Sequence, residues 1–388
     1  MIKVCLVRGK YLNNFEGQNY LFEKNNIQLS AVSSFFPLNR NFPFSVIKLV
    51  SPVDFPFFGR EIKYLGNRLL GDPHVLFALE ELSDKFDIFH TADAHYYYSY
   101  QLAKLRQKKL IKKLIMTSWE SIPFNNESVY KKKQIKYFTL KNTDHFISHT
   151  NKAKNALIKE GVDNNKISMI RLGIDLTRFK PKIDKTTRSR NFVNKNNCII
   201  LFVGRLVKEK GVLDLYEAFK KVKSSKLKVQ SFILKLKIIG EGPLKNKIQS
   251  LINKDKLTNS VSLEKKEYKE MPQIYQKADI FALPAKTTKT WEEQYGMVLV
   301  EAMASGLPIV AYDTGAISEV IGDAGILVKE GDKRNLFTSI KRLIEVRKLR
   351  DKLGKMGRRR VERMFDARKT AEKIRKIYEN ISGYSDKK

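Results

Sequence analysis

Short apolar runs alternate with amphipathic segments along almost the whole chain, and the rhythm is interrupted once. In the first half, strand-like runs fall near 2–8, 45–50, 86–90, 113–118, 144–149 and 167–171, with helical patterns between them such as 96–110 and 128–141. The segment Pro181 to Asn197 opens on proline, is charged and is poor in aliphatic residues, which marks it as a linker. A second series then begins, with strands expected at 197–203, 232–239, 261–263, 279–283 and 308–312. Helices are expected between them at 211–222, 243–252, 271–277, 297–304 and 316–321. Strands and helices in strict alternation give parallel α/β architecture, because a parallel strand needs a crossover to return. The expected fold is therefore two Rossmann-like parallel-sheet domains, 1–182 and 183–365, facing each other across a cleft. A tail at 366–388, with Asp366 as helix N-cap, is expected to cross back to the first domain. Ligands in such sheets sit beyond the carboxyl ends of the strands, so the cleft is the expected site.

A chain of 388 residues can bury two cores. The opening Met1 to Arg8 reads as a first buried strand rather than a secretory leader. The longest stretch without a charged residue, Asn25 to Asn39, is half polar and too short to span a bilayer. Cys5 and Cys198 lie in apolar runs without metal-ligand spacing and are expected as buried thiols. The formal charge of +33 attracts anions of some kind, or reflects a lysine- and asparagine-rich composition. Lys104 to Lys113 and Tyr130 to Lys141 are purely basic and offer a face for an anionic membrane. The tail from Lys341 onward carries 18 Lys or Arg against 7 Asp or Glu. Known short nucleic-acid recognition motifs are missing from the sequence, and no nucleic-acid partner is expected.

Two constellations carry chemistry. Phe202-Val203-Gly204-Arg205 and Lys208-Glu209-Lys210-Gly211 place two cations around a loop between a strand and a helix. Glycine lets the backbone approach a ligand, and two cations beside a helix start suit a diphosphate. Glu293-Gln294-Tyr295-Gly296-Met297-Val298 then leads through Glu301 to Gly306, a loop and helix start with a carboxylate on either side. Carboxylates accept paired bonds from the vicinal hydroxyls of ribose and hexose. Glu301, set among Met297, Val298, Leu299, Val300, Ala302 and Met303, is expected to be buried and so to need a partner. Gly240-Glu241-Gly242-Pro243 reads as loop geometry, since Lys245 stands where a dinucleotide fingerprint needs a third glycine. Such carboxylates could also serve a glycoside hydrolase, which has no need of the Arg205 and Lys210 clamp.

Together these elements resemble glycosyltransferase family 4, the retaining nucleotide-sugar enzymes of the GT-B fold. Ala278-Asp279-Ile280-Phe281-Ala282-Leu283-Pro284, Gly315-Ala316-Ile317-Ser318-Glu319-Val320 and Leu172-Gly173-Ile174-Asp175 with Phe179 and Pro181 add to the likeness. The resemblance implies that Arg205 and Lys210 hold the donor diphosphate, Glu301 the ribose and Glu293 the transferred sugar, giving Arg205, Lys210 and Glu293 as catalytic residues. Gly204, Gly296, Met297, Val298 and Glu301 are then donor-binding. It implies a hexose passed with retention from a nucleotide-diphosphate sugar to a glycan or lipid-linked acceptor, in the cytoplasm or at the inner face of the membrane. No metal and no cofactor are expected, since no Asp-x-Asp motif occurs. The alternatives are a sugar-phosphate synthase or phosphorylase of the same fold and, after it, a basic nucleic-acid-binding protein. The first half departs from the pattern. Phe15-Glu16-Gly17 replaces a Gly-Gly pair, leaving Gly17, and Thr117-Ser118-Trp119-Glu120 stands where a Thr-x-His element is common. Gly17, Trp119 and Glu120 are the acceptor-side candidates; His90, His95, His145 and His149 are not ranked.

Overall fold

The computed structural model describes residues 1–24, 26–39, 41–55, 68, 71–182, 197–225, 227 and 233–383. Most of the expected linker, 183–196, lies outside the described residues, as does Phe232 at the start of an expected strand. The chain divides into two compact units, one of Met1–Ile174 with Asp366–Lys388 and one of Asp175–Phe365.

The first unit is built on seven strands: β1 (Ile2–Val7), β2 (Ile27–Ser33), β3 (Ser45–Lys48), β4 (Ile88–Ala92), β5 (Lys113–Ser118), β6 (His145–Ser148) and β7 (Ile167–Met169). They lie in the order β3-β2-β1-β4-β5-β6-β7, all parallel. Successive side chains of a strand point to opposite faces, and both faces of this sheet are covered. Val4 and Leu6 of β1 pack with Ile374 and Tyr378 of the last helix, Ala367–Ser382. Cys5 and Val7 pack instead with Tyr98, Leu102 and Ala103 of the helix Tyr97–Gln107. The final helix is therefore part of the first unit's core. It is capped by the Asp366 side chain, which accepts from the Arg368 amide. Gly173 makes its entry tight, since a Cβ there would lie 2.4 Å from the Ala367 nitrogen.

The second unit repeats the plan with β8 (Asn197–Val203), β9 (Ile233–Ile239), β10 (Val261–Glu264), β11 (Ile280–Leu283), β12 (Ile309–Tyr312) and β13 (Gly325–Val328). The order is β10-β9-β8-β11-β12-β13, again all parallel. After β8 the chain winds outward through β9 and β10, then returns to the other side of β8 at β11. That reversal opens a crevice at the carboxyl ends of β8 and β11. The helix Met297–Ala304 is apolar on nearly every side and accordingly buried. Two strands, β2 and β13, were not expected from the sequence pattern. Cys5 and Cys198 are buried thiols, and burial pushes the Cys198 thiol up to about 12. Among the described residues no helix is long and apolar enough to cross a membrane.

Candidate functional site

In the second unit the loop after β8 is held by three backbone approaches. Gly211 sits at φ +68, and a Cβ there would fall 1.6 Å from the Pro284 carbonyl oxygen at the end of β11. A Cβ on Gly240 would fall 1.9 Å from the Gly204 oxygen, and the Leu206 amide donates to the Glu241 carbonyl at 2.8 Å. The Gly240–Pro243 turn thus buttresses the Gly204–Leu206 loop, which is the loop-geometry role expected of it. The Lys286 amide donates to the Glu209 carbonyl at 2.7 Å, which ties the loop after β11 to the turn Lys208–Lys210.

Glu293 is brought to this cluster by the loop after β12. The Ala316 amide donates to the Glu293 carbonyl at 2.8 Å, and a Cβ on Gly315 would lie 2.2 Å from that oxygen. Lys210 Nζ meets Glu293 Oε2 at 2.5 Å, a largely buried ion pair. The same ammonium stands 5.0 Å from the centre of the Trp291 ring. Arg205 is exposed and its side chain has no partner among the described residues. Gly296, at φ +77, caps the helix Met297–Ala304 without a side-chain bond of its own to the amides of the first turn. Glu301, one turn along, is 4% exposed and accepts from the Tyr275 hydroxyl at 2.7 Å. Burial pushes its carboxyl up to about 7, against the pull of the Tyr275 and Tyr268 hydroxyls and the Arg178 charge. The partner a buried Glu301 requires is therefore Tyr275, a residue the sequence alone did not single out.

The first unit places a second polar cluster at the carboxyl ends of β1, β4 and β5. Arg8, directly after β1, is fully buried and donates to Glu16 from Nε at 2.9 Å and from a terminal nitrogen at 2.7 Å. It also donates to the His90 carbonyl at 2.9 Å. Glu16, the residue that displaces a glycine before Gly17, is thus neutralised inside the unit, and Gly17 is buried beside it. His90 hydrogen-bonds with Tyr378 at 2.6 Å and Thr117 at 2.8 Å, and burial holds it well below the usual imidazole range. His149 packs edge-on against Trp119, centroids 4.5 Å apart, and burial lowers its affinity for a proton. Burial also pushes His95 down, to about 3, and its ring lies tilted against Tyr96, centroids 4.3 Å apart. His145 hydrogen-bonds with Ser168.

Glu120 accepts from the Ile122 amide at one oxygen and from Asn125 and Asn126 at the other, so it pins its own loop. As a ligand for a hydroxyl it would have to give up one of those bonds. Asp93, which the sequence reading passed over, directly follows β4 in a left-handed conformation, φ 48, and accepts from the Trp119 amide at 2.8 Å. Burial pushes its carboxyl up to about 7. Its sequence sign is faint: one acid closing an apolar run.

The comparisons with known proteins agree with this layout. The family described as Glycosyltransferase Family 4 matches residues 33–178, and Glycosyl transferases group 1 matches 184–360. The chain belongs to the family 4 glycosyltransferases. The capsular polysaccharide biosynthesis glycosyltransferase CapM of Staphylococcus aureus is 28% identical over 230 residues, 58% of each chain. An Escherichia coli UDP-Gal:alpha-D-GlcNAc-diphosphoundecaprenol alpha-1,3-galactosyltransferase is 27% identical over 251 residues, 63% of this chain and 62% of that one. The chain thus spans less than two thirds of the curated relatives it matches. Among solved structures, Anabaena HepE in complex with UDP and glucose superposes with a TM-score of 0.71 at 16% identity, covering 97% of this chain and 99% of that one. This likeness establishes the GT-B type of fold. For a family 4 member, the structure joins Lys210 to Glu293 directly and sets Gly296, Met297, Val298 and Glu301 on one helix start. Gly17, Trp119 and Glu120 fall in the other unit.

Proposed function

We propose that this chain is a retaining glycosyltransferase that passes a hexose from a nucleotide-diphosphate sugar to a glycan or lipid-linked acceptor without a metal ion. The observation that carries it is the Lys210–Glu293 ion pair at the strand-order reversal between β8 and β11, in the loop that also carries Arg205, whose side chain has no partner among the described residues. A diphosphate arriving there meets one free cation and one already matched by a carboxylate. As the phosphates take Lys210, Glu293 is released to accept hydroxyls of the sugar, so donor binding itself prepares the sugar contact. Arg205 and Lys210 then offset the charge that grows on the leaving diphosphate as the bond to the anomeric carbon breaks. Glu301, ionised by the approach of ribose hydroxyls, holds the nucleoside, and the amides at Met297 and Val298 face donor oxygens.

Retention places the incoming acceptor hydroxyl on the face from which the diphosphate leaves. The acceptor oxygen bonds the anomeric carbon and its proton passes to a departing phosphate oxygen. The first unit is read as the acceptor side, with Gly17 and Trp119 at the carboxyl ends of its strands. A relative acting on a diphosphoundecaprenol sugar supports a lipid-linked acceptor, and with it a cytoplasmic enzyme working at the membrane surface. The test is a panel of nucleotide sugars screened for slow donor hydrolysis, with and without EDTA. Hydrolysis of one donor, unchanged by EDTA, is expected. Loss on chelation would overturn the metal-free reading, and no hydrolysis of any donor would remove the donor assignment.

A further inference from the structure

Among the five histidines, His74 has one ring nitrogen tied to a buried carboxylate. It lies in the connection from β3 to β4, and its backbone is fixed against the helix Tyr97–Gln107. The Tyr98 amide donates to the His74 carbonyl at 3.1 Å, and Gln101 exchanges two bonds with the Leu76 backbone. Before it, Gly71 packs so closely on the helix Tyr130–Lys141 that a Cβ there would lie 2.9 Å from the Ile135 side chain. Asp72 sits between these anchors. One of its oxygens accepts from the Tyr97 amide at 2.8 Å and the His74 amide at 3.1 Å, and the other meets His74 Nδ1 at 2.9 Å. Burial works against that carboxylate, but the His74 ring and the Tyr97 amide hold it below its usual range. A carboxylate only accepts, so Nδ1 carries a proton and, in the neutral ring, Nε2 presents a lone pair. Nε2 has no partner among the described residues and is not sealed from solvent, with the side chain 12% exposed.

The imidazole stands where the first sheet's strand order reverses. From β1 the chain winds out through β2 and β3, then returns to the other side of β1 at β4. Ligands of open parallel sheets bind beyond the carboxyl ends of the strands at such a reversal. Tyr11, in the turn after β1, and Tyr96, just ahead of the helix after β4, come from those ends. Their rings flank His74, with centroids 5.1 and 5.3 Å from the imidazole and 5.1 Å from each other, and Tyr11 is 37% exposed. Aromatic faces with a few fixed polar atoms among them are the usual lining of a small-molecule site. The polar atom narrows the choice, since a lone pair beside a carboxylate disfavours anions and takes a hydrogen-bond donor. Among the described residues no group of three His, Cys, Asp or Glu gathers to hold a metal ion. A hydroxyl on a ring with an apolar face meets both demands, and a pyranose has both.

We infer that His74, oriented by Asp72, accepts a hydroxyl of the acceptor's pyranose ring at Nε2 while that ring lies against Tyr11. The inference rests on the reading of the first unit as the acceptor side and gives that side a contact that selects among sugars. His74 is no base here: the proton of the attacking hydroxyl leaves on phosphate, and Nε2 only accepts a hydrogen bond.

The experiment follows the imidazole nitrogens of the full chain by proton–nitrogen NMR, with His74 assigned from the signals lost in its variants. Methyl glycosides of glucose, galactose, mannose and N-acetylglucosamine are titrated in. One of them is expected to shift the Nε2 resonance of His74. Two substitutions separate the roles of the ring. An Asn amide can bond Asp72 as Nδ1 does but ends short of Nε2, so His74→Asn should keep the fold and bind that glycoside about tenfold or more weakly. A Gln amide reaches to where Nε2 stands, and His74→Gln should recover part of the loss. Tyr11→Ala should weaken the same binding. His74→Asn binding the glycoside as the wild type does would leave the imidazole a strut for its loop and overturn the inference. So would a His74 resonance that none of the four glycosides moves. Donor hydrolysis by the wild type is the separate check. Hydrolysis with a silent His74 overturns this contact alone, whereas a response at His74 in a chain that hydrolyses no donor upholds the sugar contact and discards the enzymatic reading.

Discussion

Glu301 illustrates how a single carboxyl can report on the whole site. Below its ordinary value of 4.5, folded and unfolded chains both hold the proton. Between there and about 7 the unfolded chain releases it while the folded one keeps it, so Glu301 makes stability fall as pH rises through that window. Glu301→Gln should remove that part of the slope, read as urea midpoints across the window. A ligand that needs the carboxylate gains from the same titration. The nucleoside diphosphate of the donor should bind up to about tenfold more tightly at pH 8 than at pH 6, and the Gln variant should show no such dependence. Equal pH dependence in both would remove Glu301 from the ribose contact. Arg205 and Lys210 divide differently. Arg205 is exposed and without a partner among the described residues, so Arg205→Ala should lower donor turnover by about 10² or more while the melting temperature stays put. Lys210→Ala strands a buried Glu293 carboxylate, so it should cost stability as well, about 3 kcal/mol or more.

Among elements, the loop between β8 and its helix depends on one backbone position. Gly211→Ala must accommodate a Cβ at φ +68 and a carbonyl oxygen 1.6 Å away. Gly161→Ala, at φ +91 with nothing within 4 Å, meets only the conformational cost. We expect about 1–2 kcal/mol for the second and at least about twice that for the first, measured by denaturant unfolding. Here the sequence was informative in proportion to how local the cause was. Strand-to-helix turns closed by glycine, and the apolar helix carrying Glu301, are written in neighbouring residues and were legible. β2 escaped because its run, Ile27–Ser33, mixes Gln and Ser with aliphatics, and its burial comes from distant parts of the chain, through pairing with β1 and β3 and packing of Ala31 and Val32 into the cores on either face. The basic stretch at 104–113 looked like a free cationic face because Asp144 and Asp87, which neutralise parts of it, come from elsewhere in the chain. The same holds for the pairing of Lys210 with Glu293 and of Arg8 with Glu16. A sequence gives candidates for such partners, while folding decides who meets whom.

At the scale of the molecule, chain order and structural order part company at the end of the second unit. The helix Ala367–Ser382 follows that unit in sequence but packs into the first, where Ile374 and Tyr378 are fully buried and Tyr378 hydrogen-bonds with His90. Two units with separate cores need not unfold together. The chain also holds two tryptophans, Trp119 in the first unit and Trp291 in the second. Variants retaining one each, Trp291→Phe and Trp119→Phe, therefore report the units separately. Truncating Ile374 leaves a cavity against Val4 and Leu6 on β1 and should cost about 2–5 kcal/mol. In the Ile374→Ala chain, the transition seen by Trp119 should move to lower denaturant, and that seen by Trp291 should stay where it was. Were Trp291 to report the loss instead, the last helix would belong energetically to the unit it follows. The first unit would then be complete at Ile174, and a chain ending at Phe365 would keep the transition seen by Trp119 and shift the one seen by Trp291 to lower denaturant.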